Sequence, residues 1–442
     1  MTSATQTPTR RPALSQRLYR TLWRWHFYAG IFCIPFIITL ALSGAIYLFK
    51  PQFEAWADAP VNNLAVSGQR ASANELIATA QASMPGADFL AYRLPAEPDD
   101  AVVVSVRQGG ERMDVYLDPY RNQILKTLPY ESRFMRQVQS FHGELLAGRA
   151  GSILVELAAC WAVILLLSGL YLWWPRSTKG LAGVLYPRLR QGGRVFWRDL
   201  HAVTGMWLSA LTLFLLITGL PWATVWGAAF KEMRQWQAAR VQQDWNPSRA
   251  QEKKAWGPQA VSQVNLPESV IASAAGLGFA PPVELSIAEA DTGLVKVSSQ
   301  TQNRPLRADA WIRPDGEVTR VKPYAERPLV DRVVGIGIAA HEGQLFGWFN
   351  QLLGLIVTLG LVLLSVSGAV LWWRRRPAGT LGAPAAMPSA AAGKVVAALV
   401  LLLGVLLPVV GLSLIALWLL EFFVLRRWRA SRNWLGLASN KA

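Results

Sequence analysis

Five long apolar stretches constrain this chain more than any other feature. They cover residues 27–49, 152–174, 202–226, 352–373 and 395–424 of the 442. A helix needs about 20 consecutive, mostly apolar residues to cross the hydrocarbon core of a bilayer. Each stretch approaches or exceeds that length. The pattern predicts an integral membrane protein, and it excludes a single soluble domain.

The net charge of +16 is concentrated in short segments next to the apolar stretches. Residues 1–25 carry five Lys/Arg and no acid, residues 175–200 carry six against one, and residues 374–394 carry four and none. The polar segments 50–141 and 228–348 are nearly balanced, with nine basic against eleven acidic residues and fourteen against thirteen. Basic loops tend to stay in the cytoplasm. We therefore expect a cytoplasmic N-terminus, two outer polar segments and contact with a lipid bilayer, and no nucleic-acid partner.

The fold class predicted is an integral membrane α-helical bundle, with four core spans in two tandem two-span repeats, a C-terminal hydrophobic helix and two extracytoplasmic α+β domains. The predicted segments are a disordered tail (1–16), first span (17–50), first outer domain (51–140), second span (141–175), basic cytoplasmic loop (176–199), third span (200–230), second outer domain (231–340), fourth span (341–375), cytoplasmic linker (376–394), C-terminal hydrophobic helix (395–425) and basic tail (426–442). We expect one long tilted helix over 395–425, although Pro408 and Gly411 would also suit a shallow hairpin. Residues 231–257 are interpreted as a helical extension of the third span plus a linker.

The four histidines of the chain all fall at repeated positions. His26 and His201 open apolar runs 175 residues apart, and His142 and His341 precede apolar runs 199 residues apart. Because each repeat contains two crossings, both copies have the same orientation, and a pseudo-two-fold axis along the membrane normal is implied. We expect this axis to bring His26 to His201 near the cytoplasmic face, and His142 to His341 near the outer face.

Two imidazoles that converge in a helical bundle suit a haem iron, whose other four ligands are porphyrin nitrogens. They would leave a tetrahedral zinc ion short of ligands. The Cys-x-x-Cys-His motif of covalent attachment does not occur, so the sequence predicts two haem b groups, with the four histidines as axial ligands. A lone histidine at the end of a span is often only an interfacial residue, but four at equivalent positions favour ligation.

Several smaller features accompany the histidines. Gly30 and Gly205 lie one turn beyond the inner histidines and would clear that helix face for a macrocycle. Glu156 is an acid well inside a span, where burial is costly, so it is a candidate for a proton or propionate role or for a structural hydrogen bond. A straight second span would carry His142 far above the membrane core, so we expect a bend or a tilt near residues 143–151.

Three short motifs resemble a known family. They are the Trp25–Gly30 stretch with the later Ser43-Gly44, the Phe141–Leu145 stretch, and the Ser-Gly-x3-Trp-Trp endings at 168–174 and 367–373. Together they resemble the PepSY-associated transmembrane helix family, and the stretch Val115–Pro119 looks like the close of a PepSY domain. Members include iron-regulated ferric-siderophore reductases of the bacterial inner membrane, which carry two haems.

The resemblance implies a haem-dependent oxidoreductase in the inner membrane. It would pass electrons from a cytoplasmic or quinol donor to the periplasm and reduce Fe(III) in siderophores or other chelates, which releases the iron. No dinucleotide fingerprint follows a strand, so the donor is expected to be a separate molecule. Two alternatives stay open: a non-catalytic PepSY module that binds or regulates a partner, and a reductase of another periplasmic acceptor.

Overall fold

The computed structural model describes residues 14–176, 180–237, 261–384, 398 and 401–437. Five helices in this part of the chain are long and apolar enough to cross a membrane: Ser15–Tyr47, Gly148–Trp173, Gly193–Trp222, Trp348–Arg375 and Pro408–Leu425. The prediction of a multi-pass helical membrane protein is confirmed. The chain divides into two compact units, of which the first comprises 1–41, 153–217 and 357–442 and the second 42–152 and 218–356.

The helices follow the predicted spans closely. In chain order they are α1 (Leu14–Tyr47), α2 (Lys50–Asp58), α3 (Ala73–Ala82), α4 (Phe134–Glu144), α5 (Gly148–Trp173), α6 (Gly193–Gly219), α7 (Thr224–Gln237), α8 (Glu268–Gly276), α9 (Leu329–His341), α10 (Trp348–Arg375), α11 (Pro408–Leu420) and α12 (Arg429–Leu435). The helical extension predicted after the third span corresponds to α7, whereas the predicted linker from residue 238 onward lies outside the described residues.

The first unit is a bundle of helices that pack closely through small residues. A Cβ added at Gly360 of α10 would lie 2.3 Å from Cδ1 of Leu208 on α6. Glycine lets two membrane helices approach in this way, because apolar burial gives little attraction between helices inside lipid. The C-terminal segment joins the bundle through polar contacts, since the Tyr28 hydroxyl donates to the Leu435 carbonyl oxygen at 2.6 Å.

The C-terminal apolar stretch departs from the expectation of one long helix. Residues 401–406 are helical, Leu407 is a bend, and α11 begins at Pro408. A Cβ added at Gly411 would lie 3.0 Å from the backbone of Gly404, so the chain turns sharply at this point. The prediction of a single tilted helix is wrong, because proline cannot continue a helix and the two glycines permit the close approach.

The second unit is built on one antiparallel sheet of eight strands. These are β1 (Asp88–Leu94), β2 (Val102–Gln108), β3 (Glu111–Asp118), β4 (Gln123–Pro129), β5 (Val283–Glu289), β6 (Leu294–Ser299), β7 (Ala308–Ile312) and β8 (Val318–Pro323). Their order in space is β4-β3-β2-β1-β5-β6-β7-β8. One buried core beneath the sheet includes side chains from α3 and α8.

The sequence predicted two separate outer domains, and the structure joins them at one seam. Strand β1 pairs with β5 through Tyr92 opposite Leu285. Both residues are almost fully buried and belong to the same core. Each half alone would leave this strand edge unpaired, and an exposed edge is prone to aggregation. The pairing therefore makes a single α+β region of the two segments.

The expected bend after His142 is confirmed. Helix α4 ends at Glu144, and Leu145 and Leu146 adopt left-handed backbone angles before α5 begins at Gly148. The second copy breaks at the equivalent place, where Gly343 and Gly347 have positive φ between α9 and α10. Each outer histidine therefore lies on a short helix of its own, separate from the span that follows.

Candidate functional site: two facing histidine pairs

The inner pair lies in the first unit. The imidazole of His26 on α1 faces that of His201 on α6, with 6.4 Å between ring centroids and 82° between the ring planes. The two rings belong to different repeats of the sequence. The structure thus brings together the two histidines that the repeat predicts as partners.

A neighbouring span holds the Nδ1 atom of each inner ring. His26 Nδ1 lies 3.0 Å from the Ser168 hydroxyl, which itself donates to the Leu165 carbonyl. His201 Nδ1 lies 3.0 Å from the Leu364 carbonyl oxygen, with the Ser367 hydroxyl at 3.4 Å. A carbonyl only accepts, and the Ser168 hydrogen is already used, so both Nδ1 atoms carry the proton. Nε2 is then the unprotonated nitrogen of each ring.

Two glycines allow the inner rings to lie against the neighbouring helices. A Cβ added at Gly169 would be 3.1 Å from Cε1 of His26, and one added at Gly368 would be 3.2 Å from Cε1 of His201. Both distances are shorter than ordinary carbon–carbon contacts. The Ser-Gly dipeptides at 168–169 and 367–368 therefore act together, because the serine contacts Nδ1 and the glycine leaves room for the ring.

The outer pair repeats this arrangement in the second unit. His142 at the end of α4 faces His341 at the end of α9, with 6.5 Å between centroids and 82° between planes. His142 Nδ1 lies 3.0 Å from the Ser43 hydroxyl, and His341 Nδ1 lies 2.9 Å from the Thr218 hydroxyl. A Cβ at Gly219 would lie 3.6 Å from Cε1 of His341. The hydroxyl-glycine pairing thus recurs at Thr218-Gly219.

The geometry of both pairs fits a bis-histidine haem. Two imidazoles on opposite sides of one iron have ring centres about 6 Å apart, given metal–nitrogen bonds of about 2 Å and roughly 1 Å from each nitrogen to its ring centre. The observed separations of 6.4 and 6.5 Å agree with that value. Ligating histidines usually form a hydrogen bond through the other ring nitrogen, as all four do here. Among the described residues no cluster of three or more His, Cys, Asp or Glu side chains is placed to hold a metal ion.

The glycines predicted to clear the macrocycle have different neighbours. A Cβ at Gly30 would lie 3.9 Å from a Leu165 side-chain atom, which is an ordinary contact, and one at Gly205 would lie 3.3 Å from Leu364. Sequence reasoning missed the direct role of Gly169 and Gly368 beside the imidazoles. Their repeated Ser-Gly dipeptides were the available signal, but helix packing explains such motifs equally well.

Other features of interest lie within the first unit. Glu156 is buried on α5 with 2% of its surface exposed.

The indole nitrogen of Trp173 donates to the Val184 carbonyl at 3.0 Å, and that of Trp372 donates to the Leu381 carbonyl at 2.9 Å. Each tryptophan thus ties the end of its span to the loop that follows. The equivalent bonds show that the two repeats share this detail too.

A largely buried ionic network, in which Asp114 is fully buried, crosses the sheet seam in the second unit. Glu284 on β5 accepts from Arg112 at 2.8 Å and from Arg93 at 3.1 Å, and Arg112 also contacts Asp114 at 3.1 Å. Burial alone would raise the pKa of Asp114. The guanidiniums of Arg112, Arg93 and Arg133 and the Ser105 hydroxyl outweigh it and lower the pKa to about 2. Both carboxylates are therefore charged at neutral pH and tie β1 and β3 to β5.

These features define a multi-pass membrane protein that also contains a folded α+β region. Residues 23–375 match the model of the family described as the PepSY-associated TM region, and this segment includes all four histidines. The chain belongs to the PepSY-associated TM region family, as its motifs predict. A comparison with curated proteins finds no match.

Proposed function

We propose that this protein is a di-haem electron-transfer protein of the bacterial inner membrane, which passes electrons to the periplasm to reduce Fe(III) in siderophores or related chelates. The observation that carries the proposal is the matched geometry of the two histidine pairs. Two sites far apart in the sequence have ring separations of 6.4 and 6.5 Å and the same interplanar angle of 82°. Packing alone has no reason to produce this coincidence twice.

His26 and His201 would hold the inner haem, and His142 and His341 the outer one. When bound, each haem supplies a one-electron Fe(III)/Fe(II) couple. The protein residues supply the ligand nitrogens, fix their orientation through the Nδ1 hydrogen bonds and exclude water by apolar packing. Burial and hydrogen bonding around the ligands are the means by which a protein sets a haem potential.

Transfer across the membrane follows from the expected topology, because His26 and His201 open outward-going spans, whereas His142 and His341 precede inward-going ones. The basic segments favour an orientation in which the N-terminus and the 175–200 loop are cytoplasmic. In that orientation the inner pair is on the donor side and the outer pair on the acceptor side. A haem held by His142 and His341 would supply the electron that reduces a siderophore-bound Fe(III) to Fe(II), which hard oxygen ligands hold less tightly.

A dithionite-reduced minus oxidised visible spectrum tests the proposal, with pyridine haemochrome quantification per mole of protein. We expect two b-type haems in the full chain and one in either His26→Ala or His142→Ala. The conservative control is Ser209→Ala, because the Ser209 hydroxyl bonds only to the Gly205 carbonyl of its own helix in the hydrogen bonds described. Protein that contains no haem when expressed with ample haem would refute the reductase and favour a non-catalytic PepSY module.

Electron delivery is tested separately, in sealed vesicles with a donor on one side and a ferric chelate on the other. A ferrous-iron indicator outside the vesicles should report reduction that depends on all four histidines. A protein that binds two haems but reduces a different acceptor would retain the spectrum and fail only this second experiment. The two measurements together therefore separate haem binding from the choice of acceptor.

A further inference from the structure

Two arginines lie about two helical turns from the contacts of the His201 ring. Arg194 is in the first turn of α6, seven residues before His201. Arg375 ends α10, seven residues after Gly368, the glycine that adjoins the same ring. Seven residues advance a helix by about 10.5 Å and return it to nearly the same face. Each arginine therefore lies on the face of its helix that meets the inner histidine pair.

The side chain of Arg375 also reaches the helix that carries the other inner histidine. Its guanidinium carbon lies 5.3 Å from the ring centroid of Phe27, the residue after His26, and 5.1 Å from that of Trp23. Phe27 is buried, with 9% of its surface exposed. One of the five N–H groups of Arg375 donates to the Gly382 carbonyl oxygen at 3.0 Å. The guanidinium thus lies against α1 at the place where that helix carries its histidine.

Arg194 and Arg375 are close enough for their positive charges to act on each other. Only two acidic residues, Asp199 and Glu421, occur in the sequence segments that flank the inner ends of the spans, which are 1–26, 171–201 and 372–442. Both of these carboxylates already form ion pairs with other arginines, at 2.6 to 2.8 Å. Like charges repel, and an anion placed between them relieves the repulsion.

The first copy of the repeat differs at the equivalent place. At the offset of 199, Arg176 corresponds to Arg375. At the offset of 175, Tyr19 corresponds to Arg194. The guanidinium carbon of Arg176 lies 5.1 Å from the ring centroid of Tyr19, so the cation of the first copy meets an aromatic ring instead of a second cation. The repeat is thus matched at the histidines and unmatched here, which suits a ligand with negative charge on one edge only.

We propose that Arg194 and Arg375 bind the propionate carboxylates of the haem that His26 and His201 would hold. The inference rests on the proposed function. Haem b carries two carboxylates on one edge, and guanidinium groups match carboxylates in charge and in planar geometry. Propionates at this place would offset the repulsion between the two arginines. They would also fix which edge of the haem faces the second copy of the repeat.

A haem analogue without carboxylates tests the proposal. His142→Ala protein keeps only the inner histidine pair, and it is reconstituted with either haem b or its dimethyl ester. We expect this protein to bind the ester at least about tenfold more weakly, because hydrogen bonds between charged groups are lost. The Arg194→Gln/Arg375→Gln double variant should lose that preference. The matched control, Arg176→Gln/Arg190→Gln, removes two exposed arginines from the neighbouring basic loop and should keep it.

Three outcomes of this experiment would overturn the inference. Equal binding of the two compounds by the His142→Ala protein would assign the arginines to another anion, such as a lipid phosphate. A preference that survives in the double variant would exclude the two arginines as its cause. A preference that the control pair also abolishes would show that the overall positive charge of the segment is responsible.

The midpoint potential of the inner haem gives a second readout. Removing both positive charges should favour the ferric state by about tenfold at a fixed potential, a downward shift of about 59 mV for a one-electron couple. An unchanged potential in the double variant, with haem still bound, would also contradict the inference. Full-length protein with no haem at all would instead refute the proposed function.

Discussion

His142 and His341 face each other with 6.5 Å between their ring centroids and 82° between their planes. The inner pair has almost the same values, 6.4 Å and 82°, although it is formed by different helices. Each of the four rings also has its Nδ1 held by an oxygen from another helix. The two pairs, which the repeat does not relate to each other, therefore share one geometry, and such a shared orientation is what a cofactor held between the rings would require.

The Thr218 hydroxyl should be needed to hold the outer haem firmly. Thr218→Val keeps the shape of the side chain but removes the hydrogen bond of 2.9 Å to His341 Nδ1. Loss of such a partner typically costs about 10- to 100-fold in metal affinity. The measurement is the rate of haem transfer from purified protein to an excess of a haem-scavenging apoprotein. Ser209→Ala should transfer haem at the unmodified rate, and equal rates for both variants would show that the hydroxyl has no role.

The glycine beside His26 should not tolerate a methyl group. In Gly169→Ala the new Cβ would lie 3.1 Å from Cε1 of His26, so the ring must shift away from the Ser168 hydroxyl. In the reduced visible spectrum, we expect the absorption of the inner haem to be lost or altered and that of the outer haem to be retained. Gly276→Ala is the matched control, because a Cβ there meets nothing within 4 Å. An unaltered spectrum in Gly169→Ala would argue against this placement of the ring.

The ionic network at the sheet seam should make stability depend on acid pH. The pKa of Asp114 is about 2 in the folded protein and about 4 in an unfolded chain. A lowered carboxyl pKa stabilises the fold above the unfolded value, and this stabilisation is lost as the pH falls through 4 toward 2. Glu284 contributes in the same direction, since the arginines outweigh its burial and lower its pKa as well.

Thermal unfolding of the full chain in detergent, at pH values from 6 to 3, measures this effect. Asp114→Asn should unfold more easily at neutral pH, by about 3 kcal/mol, because Arg112 then loses one of its two carboxylate partners and keeps Glu284. As the pH falls, the stability of this variant should then decrease less steeply than that of the unmodified protein. If the two proteins lose stability in parallel, Asp114 is not the titrating group.

The orientation can be measured with reporter fusions. Alkaline phosphatase needs disulfides and folds only in an oxidising compartment. We expect an active enzyme when it is fused after Gly109, in the turn between β2 and β3, and an inactive one when it is fused after Gly192 in the basic loop. A fluorescent protein that matures in the cytoplasm should give the opposite result. The reverse pattern would place the two basic loops outside and contradict the proposed direction of electron flow.

The sequence predicted the spans well because membrane insertion depends on composition and length, which are local properties. The sequence did not indicate β1. Asp88–Leu94 has no regular alternation of apolar and polar residues, which is the pattern that predicts a half-buried strand. The sequence also favoured one continuous helix through Pro408. In the structure the chain turns there, because Gly404 and Gly411 permit a close approach of the backbone.

The sequence by itself determined that this protein crosses the membrane several times, and that its four histidines occupy equivalent places in two copies. Those conclusions need only hydropathy, charge and spacing. Tertiary structure alone decided that the outer segments share one sheet, and that the partners of the imidazoles are Ser43, Thr218, Ser168 and the Leu364 carbonyl with Ser367. These features depend on which residues of distant segments meet, and spacing along a chain does not specify the distance between two helices.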